Sequence, residues 1–269
     1  MALAAETVAI IGAGPSGMAA ANQLSLYGIE PVVFEPGEPG GLLLEAGSVV
    51  NYPGVPEGIS GEDLVKLFPC PQRLVRERVT SLSREPGGEY IIEHTCGTVS
   101  AQAVLVASGT LPVKPDIPGV PPERVHHGVR STRKAEFASA AVIGGGDAAL
   151  DYALNLSKRA EVRVYARSGF KGASPHLLKQ AGASGRIALF PEHGDFSSFS
   201  EDIVVVACGR EPNLAFLSRE LVCSPPGNGS YHLCGDCTSG IYRQASIAVA
   251  AGVRAAMAVR SFLEGNTGN

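Results

Sequence analysis

An α/β fold with two separate βαβ halves is predicted by two glycine clusters and by what flanks each of them. The first reads Val8-Ala9-Ile10-Ile11-Gly12-Ala13-Gly14-Pro15-Ser16-Gly17, and the second Ala141-Val142-Ile143-Gly144-Gly145-Gly146-Asp147-Ala148-Ala149. Each follows an apolar run of strand type and opens an Ala/Leu-rich stretch of helix type. In a G-x-G-x-x-G turn the first glycine permits the tight bend. The second lets backbone approach a pyrophosphate, and the third lets helix and strand pack closely. The helix start then offers unpaired N–H groups and a positive dipole end to phosphate.

In the first half Gly12, Gly14 and Gly17 take the three places, with Pro15 and Ser16 between them. The helix that follows, Met18 to Tyr27, stops at Gly28, a suitable C-cap. The next strand, Pro31 to Phe34, ends at Glu35. An acid about 20 residues beyond the glycines is placed to accept hydrogen bonds from an adenosine ribose. The ligand class is an unphosphorylated adenosine, as in FAD or NAD.

In the second half Gly144, Gly146 and Ala149 take the key places, with Asp147 and Ala148 inside the motif. Its helix runs from Ala148 to Lys158, and its second strand, Glu161 to Tyr165, ends in Ala166-Arg167-Ser168 rather than in an acid. Arg167, with Lys171 nearby, suits a ribose 2′-phosphate through charge-assisted bonds, which favours NADP over NAD. The fold class is thus α/β with two Rossmann-like dinucleotide-binding domains. Two such sites in one chain are the arrangement needed to pass a hydride from a nicotinamide to a flavin.

The 269 residues suffice for one large domain or two modest ones. A net charge of −4 with only 22 Lys+Arg argues against nucleic acid or an anionic membrane as the main partner. No stretch reads as long and apolar enough to span a bilayer. No charged leader precedes the first strand, so a cytoplasmic protein with mostly reduced thiols is expected from its six cysteines.

Between the motifs, residues 37–61 are rich in Gly and Pro and read as loop, with a short helix at Gly61 to Phe68. Glu89 to His94 and Val99 to Val106 read as strands, and the Pro-rich residues 112–122 as a crossover. Residues 169–200 are polar and Gly-rich with one strand at Arg186 to Phe190. Asp202 to Ala207 is a buried-type strand, and a helix runs from Tyr242 to about Glu264.

These pieces, in this order, resemble the thioredoxin-reductase-like branch of the two-dinucleotide-binding flavoproteins. The carrying residues are the first motif with Glu35, then Gly40-Gly41 and Asn51-Tyr52-Pro53-Gly54, and Ala107-Ser108-Gly109 ahead of Ile117-Pro118-Gly119. The second motif follows, then Gly209-Arg210-Glu211-Pro212-Asn213 and the tail Cys234-Gly235-Asp236 with Ile241-Tyr242-Arg243-Gln244-Ala245. The resemblance implies a discontinuous FAD domain made of residues 1–113 and 201–269, with an NAD(P)-binding domain at 114–200. It implies that Gly41, Leu42, Asn51, Ser108, Gly109 and Gly235 help hold FAD. Asp236 would hold the ribityl chain, and Arg243, Gln244 and Ala245 would lie beside the isoalloxazine. It further implies a homodimer.

Three departures bear on function. The redox Cys-x-x-Cys that thioredoxin reductases carry before the second motif is absent, since Gly128 to Ser139 holds no Cys. The Gln that usually follows the paired glycines is Leu42, and the basic signature of the second half is reduced to Arg167 and a shifted Lys171. The phrase Gly144 to Ala153 is also similar to the ferredoxin–NADP reductases, which lack the Cys pair. The expected activity is a FAD-dependent oxidoreductase linking NAD(P)H to a non-thioredoxin acceptor, either a small molecule or a ferredoxin-type protein. The alternatives are a ferredoxin-linked flavoprotein that does not use NAD(P)H, and a flavin-binding subunit without turnover.

Cys234-Gly235-Asp236-Cys237 is formally a Cys-x-x-Cys, and a pair facing the flavin could exchange with it as a disulfide. The resemblance places this turn at the FAD sugar and phosphates instead, which favours packing. His127 stands near where the missing cysteine segment would begin and is a candidate proton donor, though a solvated loop is the plainer reading. The other cysteines are scattered, so no metal site is expected.

Overall fold

The computed structural model describes residues 4–193, 196, 199–224 and 229–265. The chain opens with β1 (Ala4–Ile11), α1 (Pro15–Leu26) and β2 (Val32–Phe34). Then come α2 (Gly61–Lys66), β3 (Arg73–Val75), β4 (Val79–Arg84), β5 (Tyr90–His94), β6 (Gly97–Val106), β7 (Thr110–Pro112) and β8 (Val125–His126). The second motif brings β9 (Ser139–Ile143), α3 (Asp147–Leu156) and β10 (Glu161–Ala166), followed by α4 (Pro175–Ala183), β11 (Ile187–Pro191) and β12 (Ile203–Val206). The chain continues through β13 (Arg210–Pro212), α5 (Arg219–Cys223), β14 (Tyr231–Leu233) and α6 (Ala245–Leu263).

Two sheets result. In the first, the order is β3-β2-β1-β6-β5-β4, with β14 also paired to β6. Strands β3, β2, β1, β6 and β14 run parallel, whereas β5 and β4 are antiparallel additions. Alternation along β1 splits its side chains between two cores. Val8 and Ile10 pack with Met18, Leu24, Ala256 and Val259 beneath α1 and α6, whereas Ala9 and Ile11 pack with Phe34, Tyr90, Leu217 and Tyr231. Burial on both faces is why residues 8–11 of β1 read as a continuous apolar run.

The second sheet is all parallel, in the order β11-β10-β9-β12-β8. One face packs on α3 through Tyr152, Ala153 and Leu156. The other is covered by the connection at Ile117 and Val120, with Phe196 and Phe199. A ribbon of β7 with antiparallel β13 marks where the chain crosses between the sheets.

Four expectations need correction. The strand at 203–206 pairs with β9, so residues at the start of the assumed 201–269 segment belong to the second sheet. Helix α1 starts at Pro15 rather than Met18, because proline at the first helical position needs no N–H partner. Helix α4 was not foreseen. It starts at the Ser174 cap, whose hydroxyl accepts the Leu177 N–H. Helix α6 is, by length and composition, apolar enough to cross a bilayer. It packs on α1 instead, so closely that a Cβ at Gly252 would lie 2.1 Å from the Ser16 carbonyl oxygen.

Candidate functional site

The first glycine cluster forms a bend with no spare space behind it and an open side in front. Gly12 has φ +106°, and a Cβ there would lie 2.3 Å from the Ala107 carbonyl oxygen. Gly14 is the N-cap of α1, and a Cβ on it would meet nothing nearer than Gly41 Cα at 3.9 Å. The position that should face a pyrophosphate is therefore the one with room in front of it.

The surrounding loops close on this cradle. The Glu35 carboxylate accepts the Ala13 N–H at 3.0 Å and the Gly37 N–H at 2.9 Å. Gly41, at φ +55°, sits so near Gly14 that a Cβ would be 3.1 Å from its Cα. Leu42 follows, partly exposed, in the short 3-10 turn Gly41–Glu45. Asn51 Nδ2 donates to Gln244 Oε1 at 2.7 Å, tying the 37–61 loop to the start of α6. Ser108 Oγ donates to the Asn213 carbonyl at 2.7 Å, and Asn213 N–H donates to Gly109 O at 3.0 Å.

On the tail side, Gly235 lies against Ser16 of α1 and has φ +80°. Asp236 follows, half-buried, and burial raises its carboxyl pKa against the pull of Arg243 and Arg210. Arg243 donates to the Arg210 carbonyl at 3.1 Å. Arg210 itself grips Thr110 through Oγ1 at 2.8 Å and O at 2.6 Å, and burial lowers its pKa.

At the second cluster the structure forms a cavity of about 680 Å³. Its walls include Gly144, Gly146, Arg167, Lys171, Tyr165 and Cys208. Asp147 and Ala148 are not in the lining; Asp147 Oδ1 accepts the Ser174 N–H at 2.6 Å and so holds down the loop that bears Arg167 and Lys171. Tyr165 donates to Glu201 at 2.8 Å and stacks on Phe190.

Helix starts separate into two kinds. At α2, α4 and α5 a serine side chain (Ser60, Ser174, Ser218) accepts a backbone N–H of the first turn. At α1, α3 and α6 the N-cap residues are Gly14, Gly146 and Gln244, and no side chain caps them. These three starts coincide with the positions expected for nucleotide and flavin, and no side chain takes up their first-turn N–H groups.

The family described as pyridine nucleotide-disulphide oxidoreductase matches residues 6–182. This chain belongs to that family. It is a FAD-dependent oxidoreductase of the nicotinamide-linked class. A thioredoxin reductase of Chlamydia trachomatis is 28% identical to it, covering 95% of this chain and 97% of the relative. A ferredoxin–NADP reductase of Lactobacillus johnsonii is 32% identical over 61% of this chain and 55% of its own. The fold matches the crystal structure of Lactococcus lactis thioredoxin reductase with a TM-score of 0.85 at 22% identity, over 97% of this chain and 99% of that one.

The residues of this oxidoreductase fit both groups. The Gly12–Gly17 turn leaves a clear front for a diphosphate, and the second cavity unites a glycine turn with two cations. Cys234 and Cys237 are both buried free thiols. Each donates toward the Val106 carbonyl, at 3.7 Å and 3.6 Å, and Cys237 also donates to Cys234 O at 3.3 Å. Burial pushes the Cys234 pKa up to about 12 and raises that of Cys237, so neither is primed as a thiolate. Burial, with Lys114, His126 and Arg210, lowers the His127 pKa and favours a neutral ring. Tyr165 and Cys208 line the second cavity, and Arg210 ties Thr110 to Arg243; no motif or spacing in the sequence marks these contacts.

Proposed function

We propose that this oxidoreductase binds NADPH at the second site and FAD at the first, and reduces an acceptor that meets the flavin without an intervening protein disulfide. The observation that carries this is the cavity joining Gly144 and Gly146 to Arg167 and Lys171. The N–H groups at the start of α3 face the diphosphate, while Arg167 and Lys171 select the 2′-phosphate. Glu35 accepts from the FAD ribose, and the start of α1 holds its diphosphate. Asp236 orients the ribityl chain, and Arg243 and the α6 start lie beside the ring with positive charge. Bound FAD supplies the two-electron relay between nicotinamide and acceptor. The absence of any cysteine between residues 97 and 207, with Cys234 and Cys237 buried and protonated, supports an acceptor other than thioredoxin.

In this reading the FAD unit comprises 1–113 and the C-terminal segment, and the middle unit extends past residue 200 to take in β12. The protein assembles as a homodimer. The test is anaerobic mixing of the yellow protein with NADPH and NADH. Bleaching faster with NADPH is expected, and bleaching by neither removes the nicotinamide step. The similarity to a ferredoxin–NADP reductase favours a second reading in which a ferredoxin-type protein is the partner. Reduced ferredoxin bleaching the flavin when NADPH does not selects it.

A further inference from the structure

Two carboxylates on one face of α3 hold two different loops. Asp147 and Asp151 stand four residues apart and so lie one above the other on the helix. Asp147 grips Ser174 N–H, beyond the Arg167–Lys171 loop of the second site. Asp151, half-buried, accepts the Gly47 N–H at 2.8 Å across 104 positions of sequence.

Gly47 belongs to the loop that closes the first site. Gly40 N–H donates to Ala13 O at 2.8 Å, Gly41 lies on Gly14, and Asn51 bonds Gln244. At Gly47 there is little space for a side chain: a Cβ would be 3.1 Å from Asn155 Nδ2 and 3.2 Å from Asp151 Oδ1. A second grip lies beside it, where Glu45 Oε2 accepts the Arg130 N–H at 3.0 Å.

We propose that Asp151 is a positioning residue that couples the two nucleotide sites, holding the 40–51 loop to the same helix whose start receives the nicotinamide nucleotide. A rigid helix with a loop fixed at each of two points carries such coupling through contiguous bonds. The inference rests on the two-site reading above, and it assigns to Asp151 no contact with either nucleotide.

Hydrogen exchange of the 40–51 amides tests it, in the flavin-loaded protein with and without NADP+, whose binding is followed separately by calorimetry. NADP+ is expected to slow exchange at Gly47 and its neighbours by about fivefold or more in the wild type, within the usual range for coupled sites. In Asp151→Ala the Gly47 amide exchanges about tenfold faster, as loss of one hydrogen bond to a charged group allows. The NADP+ effect disappears there. Asp151→Asn, whose side-chain oxygen accepts the same N–H, keeps both protection and response.

NADP+ that binds yet leaves the wild-type 40–51 amides unchanged overturns the coupling and spares the two-site reading. An Asp151→Ala response equal to wild type, or an Asp151→Asn protein that loses the response, overturns it as well. NADP+ that fails to bind at all removes the two-site reading, and the coupling falls with it.

Discussion

Gly17 in the first turn of α1 stands so close to Gly12 that a Cβ on it would lie 1.9 Å from the Gly12 carbonyl oxygen. The atom in the way is backbone at the end of β1, so no rotamer change relieves it. Gly17→Ala is expected to cost about 3 kcal/mol, the upper end for overpacking, with a lower Tm and loss of bound flavin together. Gly14→Ala makes the contrast, since the space before it is open. It keeps its Tm within a few degrees while flavin content falls. Thermal denaturation alongside flavin absorbance separates the two.

The cysteines divide by exposure. Cys70, Cys96, Cys208 and Cys223 are exposed, whereas Cys234 and Cys237 are buried. A chromogenic disulfide reagent at mildly alkaline pH should titrate the four exposed thiols in the native protein and the other two only after unfolding. Rapid native modification of Cys234, whose pKa is pushed up to about 12, would contradict its packing role.

Arg167 and Lys171 line the second cavity without an acid at the end of β10. Arg167→Ala is expected to raise KM for NADPH by about 10- to 100-fold, the span of one or two charge-assisted hydrogen bonds. KM for NADH should change little. An equal loss for both nucleotides would show that Arg167 does not read the 2′-phosphate.

Burial raises the Asp151 pKa above its ordinary 3.8, despite bonds from the Gly47 and Ser48 backbone and the charge of Lys158. A carboxylate shifted upward stabilises the fold only while protonated, and that contribution is lost as pH rises through its folded value. Asp151→Asn should therefore match wild-type stability most nearly at acid pH and exceed it increasingly toward neutrality. Denaturant midpoints for both proteins from about pH 3 to 8 check the sign. A stability gap that narrows with rising pH would reverse it.

Much of the fold was readable because its signals are local. The β1-Gly12-α1 and β9-Gly144-α3 units each sit within a few dozen residues, and β5, β6 and β12 follow from apolar or alternating runs. The pattern of Ile203–Val206 shows a buried strand but not which neighbour it takes, so its place beside β9 was missed. Helix α4 was hidden by the glycines around it, although Ser174-Pro175 is a cap followed by a first-turn proline. In the first glycine turn, the close approaches at Gly12 and Gly17 and the place of Glu35 at the end of β2 follow from local spacing. Tyr165 and Cys208 reach one cavity from separate strands, and Asp151 meets Gly47 only through the tertiary fold, which no periodicity reports.

Strand β6 gives one of its edges to two partners in succession: β5 pairs with Gly97–Ala101, and β14 with Val104–Val106. The second half of that edge thus waits for a strand encoded more than a hundred residues later. During synthesis the ribosome delivers the whole parallel second sheet before β14 emerges to finish the first. Until then the half that holds Gly12 to Gly17 exposes unpaired amide and carbonyl groups along β6. The nascent chain has a long interval of stickiness, and termination after β6 is made but before Tyr231 leaves a species prone to associate with its own kind.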